Sequence, residues 1–253
     1  MELMETADGV RIAHTVHNPG GAGTPLVLSH GFSATSAMWD PNVEALAADR
    51  PVVVWDQRGH GDSDAPDDPA AYSEAASVAD LDALLTHVGA ATAVIGGLSL
   101  GGYLSLAYHL AHPDRVAALV LVDTGPGYRN PEARARWNLM AERMAADIEA
   151  EGPAVSSPEV AAARHRHPEG LVLTARGTLT QHDDQIISSL PTIAVPTLVL
   201  VGEHDTEFLA GADHMARRIP GSRKVVLAGA GHAANIDQPA AFNEAVGGFV
   251  RSL

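Results

Sequence analysis

The chain has 253 residues, of which 46% are hydrophobic and 19% are charged, and this predicts one large α/β domain with an inserted subdomain. Its formal net charge of −15 disfavours nucleic acid and anionic membrane surfaces as partners. The lack of cysteine excludes disulfides, thiolate catalysis and cysteine-based metal centres. Because we find neither a signal-peptide pattern nor an apolar run near the ~20 residues that span a bilayer, we predict a cytoplasmic protein.

The first part of the chain predicts short strands followed by amphipathic helices. Asp8-Gly9 is a strong hairpin signal between the first two strands. The later strands are nearly continuous apolar runs, which is typical of a parallel sheet that is covered on both faces. In chain order, strands are predicted at Glu2–Thr6, Val10–Val16, Leu26–Ser29, Pro51–Trp55 and Thr92–Ile95, and helices at Met38–Ala48 and Glu74–Val88.

The segment Gly97-Leu-Ser-Leu-Gly101 joins the strand that ends at Ile95 to a helix that runs from Tyr103 to Pro113. It fits the pattern G-x-S-x-G, in which small residues on either side of the serine permit a sharp turn from strand to helix. The free N–H groups at the start of the helix favour negative charge. By itself, this turn fits a nucleophilic serine or a phosphate-binding loop. The phosphate alternative is weakened because neither common phosphate-loop pattern occurs in the chain.

The alternation of strands and helices is interrupted in the second half of the chain. A strand at Val116–Val122 precedes helices at Pro131–Ala150 and Pro158–His167, with one or two more within Leu171–Leu190. We therefore predict a core formed by residues 1–125 and 191–253 and a helical cap formed by residues 126–190. The alternation then resumes, with strands at Thr197–Val201 and Lys224–Leu227 and helices at Phe208–Ile219 and Pro239–Val250.

Catalytic groups in an open parallel sheet gather beyond the carboxyl ends of its strands. His232 follows the last strand within a loop of small residues, and we interpret it as the general base for Ser99. Asp205 follows the preceding strand and is the preferred acid, with Asp123 as the alternative. The order serine, acid, histidine is the one expected after a nucleophile turn of this type.

These segments together resemble the α/β-hydrolase superfamily over nearly the whole chain outside the helical insert. The resemblance implies a mostly parallel, twisted sheet of about eight strands with helices on both faces and a helical cap. It also implies Ser99 as nucleophile, His232 as base and Asp205 as acid, with backbone N–H groups of Phe32 and Leu100 as the oxyanion hole. The motifs that carry it are His30-Gly31-Phe32, Asp56–Ser63, Gly97–Gly102, Gly202–Asp205 and Gly229–His232.

Few residues indicate the substrate. The candidates to line the substrate pocket are His30, Gly31, Trp137 and Met140. A serine nucleophile disfavours the dehalogenase and epoxide hydrolase chemistries of the superfamily, which use aspartate. We therefore predict a serine hydrolase that cleaves a small or medium acyl or aryl ester through an acyl-enzyme intermediate.

Several alternatives stay open from the sequence. They are a carbon–carbon bond hydrolase of ring-cleavage products, a lactonase, thioesterase or perhydrolase, and a ligand receptor with slow turnover. The stretch after His30 lacks the Gly-Pro-Gly often associated with the carbon–carbon bond group. We predict a small-molecule substrate, no cofactor, no metal, no nucleic acid or membrane partner, and a monomer or homodimer.

Overall fold

Eight strands form one sheet at the centre of the computed structural model, which describes residues 1–153 and 157–253. In chain order the strands are β1 Glu2–Glu5, β2 Arg11–His17, β3 Leu26–Ser29, β4 Val52–Trp55, β5 Ala93–Leu98, β6 Val116–Val122, β7 Thr197–Gly202 and β8 Arg223–Leu227. Their order across the sheet is β1-β2-β4-β3-β5-β6-β7-β8. Strand β2 is antiparallel to β1 and β4, and every other neighbouring pair is parallel. The predicted mostly parallel sheet is confirmed.

Ten α-helices are found in the described residues. They are α1 Asp40–Leu46, α2 Glu74–His87, α3 Leu100–Ala111, α4 Pro131–Glu151, α5 Pro158–Ala161, α6 Glu169–Arg176, α7 Gln185–Ser189, α8 Leu209–Arg218, α9 Ala234–Asp237 and α10 Pro239–Arg251. Among these ten, none combines the length and the apolar character that a transmembrane helix requires.

Both faces of the sheet are covered, which explains why its central strands are largely apolar. Every residue of β3, β4, β5 and β7 is buried. In β4, Val53 and Trp55 belong to one core cluster with residues of α2, α3 and α8. Val52 and Val54 point to the other face and belong to a cluster with residues of α1 and α10. Successive side chains therefore enter two different cores, as the period of a strand requires.

The segment between β6 and β7 contains helices and no strand among its described residues. Helix α4 packs on α6 through the small residues Ala145 and Ala175, both of which are fully buried. Trp137 of α4 also donates a hydrogen bond of 2.8 Å to the carbonyl of Leu179. These contacts pack the helices of the segment on one another.

One predicted helix of this segment is wrong over most of its length. Helix α5 covers only Pro158–Ala161, whereas the sequence predicted a helix as far as His167. His165 accepts a hydrogen bond of 3.0 Å from the Gly61 N–H, and its other ring nitrogen lies 3.1 Å from the Ser33 carbonyl oxygen. These contacts with loops of the sheet, together with a proline at position 168 that disfavours helical backbone before it, replace the helix.

The order of the strands leaves a crevice at one edge of the sheet. Strand β3 lies between β4 and β5. After β3 the chain forms β4 on one side of it and then crosses over to form β5 on the other side. The loops that follow β3 and β5 consequently diverge, and such a switch point is where open α/β sheets bind ligands. The segments that begin at His30 and Ser99 follow these two strands.

Candidate active site

Ser99 lies in the turn between β5 and α3 with a strained backbone, φ 54° and ψ −115°. A methyl group at Gly97 would stand 2.4 Å from the carbonyl carbon of Gly101, and one at Gly101 would stand 2.2 Å from the Ser29 carbonyl oxygen. These approaches explain why both positions are glycine. The Ser99 N–H donates to the Val122 carbonyl at 3.0 Å, which holds the turn against β6. Such strain is typical of functional positions.

His232 and Asp205 form a hydrogen-bonded pair beyond the ends of β8 and β7. His232 Nδ1 lies 2.9 Å from Asp205 Oδ2, and the Asp205 side chain is only 4% exposed. Burial lowers the pKa of His232, but the hydrogen bond and negative charge of Asp205 outweigh it and leave that pKa raised. The Phe208 ring stacks on the imidazole with centroids 5.1 Å apart. The pair can thus accept a proton at Nε2 while Asp205 orients the ring.

Asp123, the alternative acid, has different partners. Its two carboxylate oxygens accept hydrogen bonds from the Gly202 N–H at 2.7 Å and from the Ala234 N–H at 3.2 Å. The side chain is fully buried, and this burial raises its pKa. Among the described hydrogen bonds none joins it to His232. Asp123 therefore ties the end of β6 to the end of β7 and to the start of α9.

Ser99 and His232 line the same cleft. In the part of the chain that the structure describes, no hydrogen bond joins the Ser99 hydroxyl to His232. Proton transfer between the two side chains would require this hydrogen bond to form. Contacts of this kind are often long in hydrolases without substrate and shorten when it binds.

The candidate oxyanion donors are the backbone N–H groups of Phe32 and Leu100. The Leu100 N–H is the first of α3 and therefore has no intrahelical acceptor. The Phe32 N–H follows β3 at the other wall of the crevice. Within the described residues, neither group donates a hydrogen bond to the protein. Both N–H groups therefore stay candidates for the predicted oxyanion hole.

The prediction that His30 lines the pocket is wrong, although Gly31 does line it. The His30 side chain is fully buried, and its Nε2 accepts a hydrogen bond of 3.0 Å from the Gln57 N–H. The Gln57 side chain in turn donates to the His30 carbonyl at 2.7 Å. Burial lowers the pKa of His30 to about 4 and keeps the ring neutral. His30 packs beneath the loop and holds Gly31 and Phe32 in place.

Two further histidines hold the same loop. His60 Nε2 accepts a hydrogen bond of 3.3 Å from the Ser33 N–H. His165, from the helical segment, reaches the Ser33 carbonyl, as described above. The rings of His30 and His60 lie 4.8 Å apart, and burial lowers the pKa of each histidine of this group. Three neutral rings therefore support the segment that presents the Phe32 N–H.

Two cavities meet at Ser99, with volumes of about 150 Å³ and about 500 Å³. Trp137, Leu179 and Phe208 line both cavities and form the wall between them. Met140 lines the larger one, so both helical pocket candidates reach the cleft. The smaller cavity adds Tyr103, Thr124, Pro126, Tyr128 and Gln181.

The described lining of both cavities contains carboxylates and neither lysine nor arginine. Glu207 lies in both linings, and Asp147 and Glu159 lie in that of the larger cavity. Sequence reasoning missed Glu159 and Phe208. The only sequence signal that places Phe208 near the site is its position three residues after Asp205. No sequence signal places Glu159 there, because its segment was predicted to belong to a longer helix.

One group of described residues has the composition of a metal site. The donor atoms of Glu2, His14 and His87 lie within 4.8 Å of one another. None of the three lines either cavity at Ser99. The candidate chemistry of Ser99 and His232 is independent of them.

Comparisons with known proteins agree with this architecture. A family model described as the alpha/beta hydrolase fold matches residues 24–174. A Bacillus subtilis (strain 168) protein, provisionally named 2-succinyl-6-hydroxy-2,4-cyclohexadiene-1-carboxylate synthase, is 30% identical over 98% of this chain and 97% of its own. A thermophilic esterase from Thermogutta terrifontis superposes with a TM-score of 0.85 at 30% identity, over 100% of this chain and 99% of its own. The enol-lactonase from Burkholderia xenovorans LB400 superposes with a TM-score of 0.80 at 26% identity, over 99% of this chain and 100% of its own.

Proposed function

Because the chain belongs to the α/β-hydrolase family and is a hydrolase, we propose that it cleaves a carboxylic ester through an acyl-enzyme intermediate. The observation that carries the proposal is the convergence of three groups in one cleft. They are the strained Ser99, the pair of His232 and Asp205 at 2.9 Å, and the two free N–H groups of Phe32 and Leu100. Each group supplies a part of acyl transfer that the others lack.

In the first half of the reaction, Ser99 Oγ attacks the carbonyl carbon of the ester while His232 Nε2 takes the hydroxyl proton. The Phe32 and Leu100 N–H groups stabilise the tetrahedral oxyanion, each by roughly 3–4 kcal/mol. His232 then protonates the departing alkoxide. In the second half, His232 deprotonates a water that attacks the acyl-enzyme. His232 then returns this proton to the departing Ser99 oxygen, which releases the acid and free Ser99.

The helical segment of residues 126–190 acts in this proposal as a cap. Trp137, Met140, Leu179 and Gln181 contribute to the walls of the cavities at Ser99. In this proposal, these walls limit the access of bulk water to the reacting groups. Residues 1–125 and 191–253 form the core that carries every proposed catalytic group.

The size of the smaller cavity supports a modest acyl or aryl group. A cavity of about 150 Å³ accommodates a molecule the size of benzene. Leu100, Tyr128 and Trp137 form the apolar and aromatic part of its lining, which also contains Gln181 and Glu207. We therefore assign the acyl group to the smaller cavity and the leaving alcohol to the larger one.

The charge of the cleft argues against assigning to this chain the activity for which its Bacillus subtilis relative is named. That name specifies a carboxylate, and an anionic ligand needs cations or oriented N–H donors around it. Asp147, Glu159 and Glu207 line the described cleft, and arginine and lysine do not. An uncharged or cationic ester fits these walls better. A lactone, as an internal ester, is compatible with the same chemistry.

A hydrolysis screen tests the proposal. We expect Ser99→Ala to lose roughly 10⁴-fold or more in kcat/KM on p-nitrophenyl esters of short and medium acids. Lactones, thioesters and a ring-cleavage diketone belong in the same screen, with Glu244→Gln on the exposed side of α10 as control variant. Ester turnover that is equal in wild type and Ser99→Ala would falsify the proposal. Cleavage of the diketone alone would assign the chain to carbon–carbon bond hydrolysis.

A further inference from the structure

Gln181 lies in the wall of the smaller cavity at Ser99, and its side-chain amide is held in one orientation. The residue is only 9% exposed. The Tyr128 N–H donates a hydrogen bond of 3.2 Å to its Oε1. Because a backbone N–H needs an acceptor, the amide oxygen and not the NH₂ group must face Tyr128. The NH₂ group is thereby left for another partner.

The backbone of Gln181 is fixed as well. Asn138 of α4 accepts a hydrogen bond of 2.8 Å from the Gln181 N–H and donates one of 2.9 Å to the Gln181 carbonyl. The same helix supplies Trp137 to the lining of the smaller cavity. A side chain that is held at its backbone and at Oε1 loses little further conformational entropy when a ligand meets its NH₂ group.

The NH₂ group of Gln181 has no acceptor within the part of the chain that the structure describes. The hydroxyl of Thr178, three residues earlier, also lacks a partner there, but it is enclosed by protein. The Gln181 nitrogen is not enclosed in this way, so a molecule in the smaller cavity can reach it. A polar group that is mostly buried and open only to a cavity is suited to bind a hydrogen-bond acceptor there.

Other donors of the same wall are already used. Trp137 Nε1–H donates to the Leu179 carbonyl at 2.8 Å, and the Thr124 hydroxyl donates to the Ser99 carbonyl at 2.7 Å. Glu207 adds a carboxylate to the lining, and an ionised carboxylate accepts hydrogen bonds without donating them. The Gln181 amide is therefore a donor that this wall still offers to a ligand.

We propose that the Gln181 NH₂ group binds a hydrogen-bond acceptor in the acyl chain of the substrate. The proposal rests on the proposed ester hydrolysis, with the acyl group in the smaller cavity. It narrows the substrate class to esters of acids whose chain carries an ether or ketone oxygen. Gln181 is in this proposal a specificity-determining residue, and it takes no part in the proton transfers of Ser99 and His232.

Two pairs of isosteric p-nitrophenyl esters test the subsite. The 3-methoxypropanoate ester is the ether isostere of the pentanoate ester, and the 4-methoxybutanoate ester is that of the hexanoate ester. Each pair replaces one methylene group by an oxygen, at a different distance from the reacting carbonyl. The measured quantity is the ratio of kcat/KM for the ether ester to kcat/KM for its hydrocarbon isostere.

Variants of Gln181 should lower this ratio. Gln181→Glu keeps the size of the side chain and an oxygen for the Tyr128 N–H, but it replaces the NH₂ donor by a second acceptor. Gln181→Met removes the donor without adding a charge. We expect each variant to lower the ratio about tenfold in at least one pair, because the ether oxygen loses its donor. Gln185→Glu makes the same chemical change at an exposed position of α7 and should leave the ratio within about twofold of wild type.

Two boronic acids test the subsite in the wild type. Boron adds to the nucleophilic serine as a transition-state analogue, which places its alkyl group where the acyl chain would lie. An ether oxygen buried without a donor should make 3-methoxypropylboronic acid about tenfold weaker as an inhibitor than pentylboronic acid. With the Gln181 donor present, we expect the two to inhibit within about threefold of each other. This comparison decides the subsite if both Gln181 variants prove unstable in thermal unfolding.

The outcomes separate the two proposals. If the esters are cleaved in a Ser99-dependent manner but both Gln181 variants leave both ratios unchanged, the subsite is wrong and ester hydrolysis stands. If no ester is cleaved, ester hydrolysis is wrong, and calorimetric binding of methyl 4-methoxybutanoate and methyl hexanoate decides the subsite. Ether binding that weakens about tenfold relative to its isostere in Gln181→Glu supports the subsite, and equal or absent binding overturns it.

Discussion

At the scale of single residues, this site separates two aspartates that look alike in the sequence. Asp205 is hydrogen-bonded to His232, whereas Asp123 accepts hydrogen bonds from two backbone N–H groups and ties the end of β6 to the end of β7 and to the start of α9. Both lie just beyond a strand and both are buried. Their different partners lead to different consequences when each carboxylate is replaced by an amide.

We expect Asp205→Asn to lower kcat by about 10²–10⁴-fold with little loss of stability, because His232 loses the charge that stabilises its protonated form. Asp123→Asn should lower the free energy of unfolding by about 1–3 kcal/mol. The new amide NH₂ group would face one of the two backbone N–H groups, and that N–H would lose the carboxylate oxygen that accepts its hydrogen bond in the wild type. Ester hydrolysis and urea unfolding measure the two effects. A larger fall in kcat for a well-folded Asp123→Asn would make Asp123 the acid.

The pH dependence of kcat/KM should reflect the raised pKa of His232. The base must be neutral, so activity is present above that pKa and is lost as the pH falls through it. We expect the midpoint of this acid limb to lie above the ordinary histidine value of about 6.5. Asp205→Asn should move the midpoint down, because the acceptor charge that raises the pKa is removed. A midpoint that stays in place would contradict the assigned pairing.

At the scale of structural elements, the turn between β5 and α3 depends on close backbone contact. The carbonyl of Ser29 at the end of β3 occupies the space where a side chain at Gly101 would lie. Thr124, after β6, donates a hydrogen bond of 2.7 Å to the Ser99 carbonyl from the other side. The position of the Ser99 hydroxyl is therefore determined by the two neighbouring strands as well as by its own segment.

Gly101→Ala should lower the free energy of unfolding by more than about 2 kcal/mol, because its methyl group would stand 2.2 Å from a backbone oxygen that cannot move aside. Gly248→Ala is the matched control, since nothing lies within 4 Å of a methyl group there. It lies in α10, where alanine is favoured over glycine by about 0.5–1 kcal/mol. Equal stability of the two variants in urea unfolding would show that the turn can relax.

At the scale of the whole molecule, neutral histidines connect the helical segment to the sheet. His30 and His60 belong to the sheet's loops, and His165 belongs to the segment between β6 and β7. All three support the loop that carries Phe32, and each acts as a hydrogen-bond acceptor from a backbone N–H. Protonation would remove these acceptors, so the fold itself opposes it.

Stability should therefore fall in mild acid. Burial places the pKa of His30 at about 4, below its unfolded value of about 6.5, so the unfolded chain binds the proton first. The contribution of His30 to the free energy of unfolding is complete above about pH 6.5. It declines by up to about 1.4 kcal/mol per pH unit as the pH falls to about 4. Urea unfolding across this window measures the slope. We expect His30→Asn to flatten it and His167→Asn, which alters an exposed ring, to leave it unchanged.

Much of the fold could be predicted from local sequence. The apolar strands, the helices that cover them and the glycines around Ser99 each follow from nearest neighbours along the chain. The structure of residues 162–167 could not be predicted in this way. Hydrogen bonds between His165 and loops more than 100 residues earlier in the chain replace the predicted helix there, and no local pattern contains them.

The sequence by itself determined the order of the elements and the strand ends at which Ser99, Asp205 and His232 lie, because backbone periodicity and turn chemistry are local. Only the tertiary structure decided which aspartate meets His232, that the His30 ring packs beneath its loop, and that Glu159 lines the cleft. These outcomes depend on the distances between segments that are far apart in the chain. Packing sets those distances, and the local sequence does not.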